Sequence, residues 1–216
     1  TLDEQVPVGL VAAHWGGTMV EAWSSPDALQ AATELCAQGD SPASVLTATS
    51  ADDLKAYRTK HGKEVVGEPN DNPSSLWNGM IHPLLNMTFK AAVWYQGESN
   101  VGDATSYFCK LSSMIDDWRA KLSATKGTSS ATFPFGIVQI SGYCAVGCGC
   151  EEYGCGPDDA YPVADLRAAQ GWVKDTVENV FIATAMDLED PDPLNNAFGD
   201  IHPRDKMDIG ARLAVA

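Results

Sequence analysis

The sequence predicts an α/β fold with a parallel sheet covered by helices on both faces. Three observations predict it: short apolar runs read as buried strands, amphipathic stretches lie between them, and polar residues follow the apolar runs directly. Alternation of this kind requires right-handed crossovers, which bring the carboxyl ends of the strands to one side, where ligands of such folds bind. A length of 216 residues fits one domain, at about 100–200 residues per domain, and residues 1–216 are read as a single unit.

Val8-Gly9-Leu10-Val11-Ala12-Ala13, bounded by Pro7 and Gly16-Gly17, reads as the first buried strand. From about residue 24 to 74 the chain turns polar and rich in Ser, Pro, Asp and Asn, a surface excursion with a short helix around Asp27 to Cys36. Trp77, Met80, Ile81, Leu84 and Leu85 recur at helical spacing and predict a core-facing helix that Pro83 kinks or ends. His82 falls inside that pattern and is read as a packed core residue, and His61 lies in the excursion. Phe89 to Tyr95 is the second strand and runs straight into Gln96-Gly97-Glu98-Ser99-Asn100.

From Asp103 onward, Tyr107, Leu111, Met114, Ile115, Trp118 and Leu122 form one apolar stripe, the clearest helix in the chain. Phe135 to Ile140 makes a third strand and a Cys-rich loop follows over about residues 142–157. Leu166, Ala169, Val173 and Val177 mark another helix, Phe181 to Met186 the fourth strand, and a last helix from about Asp205 carries Ile209 and Leu213.

Composition narrows the partners. Hydrophobic residues at 44% with 20% charged exclude a wholly disordered or fibrous chain. The longest apolar runs fall far short of the roughly 18 residues of a membrane span. Twenty-nine acidic against 14 basic residues give a net charge of -15, which repels a nucleic-acid backbone. The acids are spread along the chain and read as a solvated surface.

Six cysteines, four of them crowded at Cys144, Cys148, Cys150 and Cys155, favour disulfides and hence the secretory pathway, with an extracellular or lysosomal destination. Zinc is the competing reading, but C-x3-C-x-C-x4-C lacks the paired C-x2-C knuckles of familiar zinc modules. Cys36 and Cys109 pair either with each other or with the cluster. Asn86-Met87-Thr88 is the only acceptable glycosylation sequon, since Asn72-Pro73-Ser74 carries proline, and a structural asparagine is an equal reading. No leader pattern is visible at Thr1, and a secreted protein would have lost it.

The chemistry-bearing residues sit where strands end. His14-Trp15-Gly16-Gly17-Thr18 offers backbone N–H groups that can face a developing oxyanion, although two glycines also make an ordinary tight turn. Gln96 adds a side-chain amide, with a hydrogen-bonded core glutamine as the bland reading. Asp200-Ile201-His202-Pro203 supplies a carboxylate two residues before a histidine, the elements of an oriented general base. Glu98, with Glu21 or Asp187, would instead suit a glycoside hydrolase. No histidine spacing suggests a metal, and no cofactor is expected. The nucleophile is harder to place: Gly39-Asp40-Ser41 follows a helix rather than a buried strand and precedes Pro42, while Gly97-Glu98-Ser99-Asn100 is not a G-x-S-x-G elbow.

Read together, these segments resemble the sialate O-acetylesterase family, a branch of the SGNH hydrolases related to acetylxylan esterases. The likeness rests on Pro7-Val8-Gly9-Leu10, Trp15-Gly16-Gly17-Thr18, Glu21-Ala22-Trp23, Leu76-Trp77-Asn78 and Met80-Ile81-His82-Pro83-Leu84. It continues with Trp94-Tyr95-Gln96-Gly97-Glu98-Ser99-Asn100 and Ile201-His202-Pro203-Arg204-Asp205-Lys206.

The resemblance implies a flavodoxin-like three-layer α/β fold and hydrolysis of acetyl esters on sugars, sialic acids among them, without metal or organic cofactor. It implies oxyanion donors at Gly16 or Gly17 and Gln96, a general base at His202, and supporting roles for Glu98 and Asn100. The superfamily spaces its acid three residues before the histidine, where Gly199 stands here, so Asp200, a backbone carbonyl or Asp187 would serve as orienter. The family's Gly-Gln-Ser-Asn-Met nucleophile block does not occur in these 216 residues. The expectation is therefore a C-terminal portion lacking the nucleophile strand, whose partners are an acetylated carbohydrate and an N-terminal fragment of the same protein. The alternative is a non-catalytic, esterase-like module in a larger extracellular assembly.

Overall fold

The computed structural model describes residues 7–38, 72–124, 129–142, 160–190 and 201–216. The elements in order are α1 (Val20–Trp23), α2 (Pro26–Ala37), β1 (Ala92–Trp94), α3 (Ala104–Ser123), β2 (Phe135–Gln139), α4 (Ala160–Thr176), β3 (Val180–Thr184) and α5 (Lys206–Val215). Among the described residues the strands form one parallel sheet in the order β1-β2-β3. Its register aligns Trp94 with Ile137, and Ile137 with Ile182.

Alternation along β2 sends the strand's side chains to two cores. Phe135 and Ile137 join the large core with α3 and with Leu166, Ala169 and Val173 of α4. Val138 points the other way, into a smaller cluster with Ala185 and Ile209 of α5. The sheet is thus covered on both faces, the three-layer arrangement of a flavodoxin-like SGNH fold, with no strand before β1 among the described residues. On the α5 side, Val93 of β1 stays 60% exposed.

Local chemistry explains the helix ends. The Ser25 hydroxyl accepts from Ala28 N at 3.1 Å, with Pro26 opening α2, and Asp205 Oδ1 accepts from Asp208 N at 3.0 Å to start α5. α3 buries Tyr107, Leu111, Met114, Ile115, Trp118 and Leu122, the stripe expected from its periodicity. A run of edge-on rings ties the layers together: Trp23 to Trp94 and Trp94 to Trp118 at 5.9 Å, and Trp118 to Phe135 at 6.2 Å. The buried Arg119 donates to Phe133 O at 2.8 Å, Glu178 O at 2.7 Å and Asn179 O at 3.1 Å, fixing the entries to β2 and β3.

Three expectations are corrected. Val8 to Ala13 is not a buried strand: residues 7–12 are exposed, Leu10 at 93%, because no strand among the described residues pairs with them. The segment around Ser75 to Leu85 is not one regular helix. It passes through a π-helical turn at Trp77–Ile81 into a 3-10 turn at His82–Leu84, and Pro83 has no N–H to continue a regular ladder. His82 is exposed instead of packed in the core, lying edge-on to Trp77 at 6.2 Å. Cys36 and Cys109 form a disulfide with each other, joining α2 to α3. The other four cysteines and the Cys-rich loop over about 142–157 lie mostly or wholly outside the described residues.

Candidate active site

The glycine turn and the loop after β1 meet at the carboxyl end of the sheet. Gly16 and Gly17 form an exposed turn, and Gly17, with φ of +72°, occupies the left-handed region that a side chain disfavours. The Thr18 hydroxyl closes the turn by donating to Trp15 O at 2.9 Å and accepting from Trp23 Nε1 at 2.8 Å.

Gln96, buried just past β1, braces the two loops. Its amide nitrogen donates to Thr18 O at 2.9 Å and to Asn100 Oδ1 at 2.7 Å. The Tyr107 hydroxyl lies 3.1 Å from Gln96 Oε1 and 3.2 Å from Gln96 O, sharing its one hydrogen between them. Burial holds the Tyr107 phenol above its usual range, so it remains a donor across ordinary pH. Gln170 on α4 donates to Gln96 O at 3.1 Å and accepts from Ile140 N at 3.0 Å, linking the ends of β1 and β2. Both hydrogens of the Gln96 amide are engaged inside the protein in this geometry.

Asn100 is fully buried in a 3-10 turn, Glu98–Asn100. Its oxygen also accepts from Val20 N at 2.9 Å, and its nitrogen donates to Glu21 Oε2 at 3.0 Å. Lys110 of α3 donates to Glu21 Oε1 at 2.6 Å and to Asp103 at 3.2 Å. Burial alone would raise the Glu21 pKa, but the Lys110 ammonium and the Asn100 amide more than offset it and hold the carboxyl below its ordinary value. Glu21 is therefore an ionised anchor beneath the loop.

Glu98 stands on the rim of the same loop. Burial pushes its carboxyl above the usual range, against the opposing pull of backbone N–H groups and of the nearby His202 and Lys206 side chains. His202 is exposed and sits at the approach to α5. Four residues on, Lys206 donates to Tyr95 Oη at 3.2 Å and lies 4.5 Å over the Tyr95 ring, which docks the start of α5 against the end of β1. The Glu98 carboxyl is thus within electrostatic reach of this end of the chain.

Of the residues singled out in the sequence, Gly16, Gly17, Gln96, Glu98, Asn100 and His202 fall at this end of the sheet. Asp200, Gly199, Ser41 and His61 lie outside the described residues. Asp187 is held by Arg212 through both oxygens, at 2.5 and 2.8 Å, which brings its carboxyl down to about 2. Ser99 is half-buried in the 3-10 turn. Among the described residues no group of three or more His, Cys, Asp or Glu is placed to hold a metal ion.

Comparison with known proteins shows what the chain is similar to. No family model matches the chain. The sialate O-acetylesterases of Homo sapiens and Pongo abelii are each 39% identical to it, over 97% of this chain and 35% of their own length. That of Mus musculus is 37% identical, over 97% of this chain and 38% of its own. Over nearly its whole length the chain is homologous to the sialate O-acetylesterases. It spans little more than a third of the length of those relatives.

Sequence reading missed two connections at this end of the sheet. Glu98 read as a loop support or a glycosidase carboxylate, and nothing in the sequence set it within electrostatic reach of His202, more than 100 positions away along the chain. Glu21 read only as a partner for a glycosidase carboxylate, whereas it anchors Asn100. No local signal predicts either contact; the Lys110 that clamps Glu21 looks in the sequence like any solvent-facing helix cation.

Proposed function

We propose that the protein is a serine carbohydrate esterase that removes O-acetyl groups from sugars, sialic acids among them, with its nucleophile supplied by a segment outside these 216 residues. The observation that carries this reading is the bridge from Gln96 to Thr18 O, which sets the glycine turn and the post-β1 loop side by side at the end of the sheet where His202 stands. In the proposed reaction the serine hydroxyl attacks the acetyl carbonyl while His202 takes its proton. The backbone N–H of Gly16 or Gly17 and the Gln96 amide receive the oxyanion, Gln96 turning one hydrogen from its internal acceptor to the substrate. The sugar oxygen leaves with the proton from His202, and water repeats the sequence to release acetate.

The orienting acid in this reading is Asp200, two residues before the base, with Glu98 a second carboxyl within electrostatic reach of the same imidazole. Glu98 and Asn100 otherwise support the loop that presents Gln96. The substrate is an acetylated carbohydrate, the other partner is an N-terminal fragment of the same protein, and the setting is the secretory pathway, extracellular or lysosomal. Among the described residues no helix is long and apolar enough to cross a membrane. A second reading, a non-catalytic esterase-like module in a larger extracellular assembly, draws support from the internal commitment of both Gln96 hydrogens.

Gln96→Ala separates the two. In the full-length protein, with folding checked by circular dichroism, esterase turnover on an O-acetylated sugar is expected to fall about 10²–10³-fold. Unchanged turnover in a folded variant removes Gln96 from the oxyanion site.

A further inference from the structure

We propose that Glu21, paired with Lys110, is a positioning residue for the esterase reaction: it fixes the Asn100 amide, which retains one Gln96 hydrogen and frees the other for the oxyanion. The proposal rests on the oxyanion role proposed for Gln96.

Fixed donors and acceptors set the direction of this chain of hydrogen bonds. An ionised carboxylate only accepts, so Asn100 must turn its nitrogen toward Glu21 Oε2, at 3.0 Å. Val20 N only donates, and it holds the Asn100 oxygen on the other side at 2.9 Å. That same oxygen accepts from Gln96 Nε2 at 2.7 Å, and Thr18 O, an acceptor only, takes the second Gln96 hydrogen at 2.9 Å.

Glu21 does more than occupy the Asn100 nitrogen. A negative charge drawing on that N–H makes the amide oxygen at the other end a stronger acceptor, because hydrogen bonds in series polarise one another. The bond to Asn100 is accordingly the shorter of the two that the Gln96 nitrogen makes. The hydrogen held by Thr18 O is the more weakly bound, and it already points at the residue that follows Gly17. It is the one that turns to the oxyanion, while Asn100 keeps Gln96 in place. Lys110 secures the charge this requires. Burial would raise the Glu21 pKa, but the ammonium at 2.6 Å from Oε1 and the Asn100 amide keep the carboxyl below its ordinary value.

The test measures kcat and KM of the full-length protein, with para-nitrophenyl acetate as the acetyl ester, for Glu21→Ala, Gln96→Ala and the double variant. Folding is checked by the urea midpoint. Glu21→Ala is expected to lower kcat about tenfold with KM little changed, because the contact it supports is made in the transition state. In the Gln96→Ala background the same substitution is expected to cost less than about twofold, since its route to the oxyanion is gone. A residue that merely stabilises the loop would lower the urea midpoint and cut turnover by the same factor in both backgrounds. Glu21→Gln retains an acceptor for Asn100, so it is expected to recover part of the lost kcat and to show the same cancellation, and it replaces Glu21→Ala if that variant does not fold. Unchanged kcat in a folded Glu21→Ala variant, or equal losses in both backgrounds, overturns the proposal and leaves Gln96 in its oxyanion role. Unchanged turnover in Gln96→Ala removes that role and this proposal with it.

Discussion

At Gly97 the backbone adopts φ of +152°, and a Cβ built there would come within 2.9 Å of Leu166 Cδ2, 3.2 Å of Ile140 Cγ2 and 3.3 Å of Gln170 Nε2. The glycine lets the chain leave β1 sharply while Gln96 and Asn100, on either side, reach the same acceptors and donors. Gly97→Ala combines an unfavourable dihedral with overpacking and is expected to cost about 2–4 kcal/mol, read as a lowered urea midpoint with little change in its slope. Glu98 gives a prediction of opposite sign. Its pKa is raised in the fold, so above its ordinary value near 4.3 the unfolded chain loses this proton first. Its contribution to stability is highest at low pH, falls as pH rises from that value through the folded one, and stays low above both. Glu98→Gln removes this slope and is expected to be at least as stable as the parent at pH 7 in urea unfolding, while its esterase activity drops. A variant less stable at pH 7 and equally active would contradict both the burial cost and the proposed role of Glu98 near the base.

At the scale of elements, α2 and α3 are joined by Cys36–Cys109, which closes a sequence separation of 73 residues that includes the polar excursion. Replacing both cysteines by serine is expected to cost about 2–4 kcal/mol, measured by thermal unfolding, because the unfolded chain regains the freedom of that loop. The same elements show how much a sequence carries. The short helix expected around Asp27 to Cys36 appears as α2, and α3 was legible from an uninterrupted apolar stripe, a local signal. Strand cores were legible for β1, β2 and β3, with ends differing by at most three residues. Val8 to Ala13 misled because an apolar run records the capacity to pair but not the presence of a neighbour. His82 misled because Pro83 changes the helical pitch, and a residue expected on the inner face rotates outward.

For the whole molecule, topology does what no motif announces. A parallel sheet gathers the turn after residue 15, the loop after β1 and the segment before α5 at one edge, although they are separated by about 80 and 100 residues along the chain. The Gly16-Gly17 turn, Gln96 and His202 were readable as candidates from their motifs. The clamp of Lys110, Glu21 and Asn100 was not, because its members look like ordinary surface and turn residues until the fold buries them together. The central claim is that these pieces form the base and oxyanion half of a serine esterase. It is tested most directly by treating the full-length protein with a fluorophosphonate probe, with and without His202→Ala, and mapping the modified serine by peptide mass spectrometry. The account predicts rapid labelling of a serine outside these 216 residues and loss of that labelling in the variant. Labelling at Ser41 or Ser99, labelling indifferent to His202, or no labelling of the folded protein would contradict it.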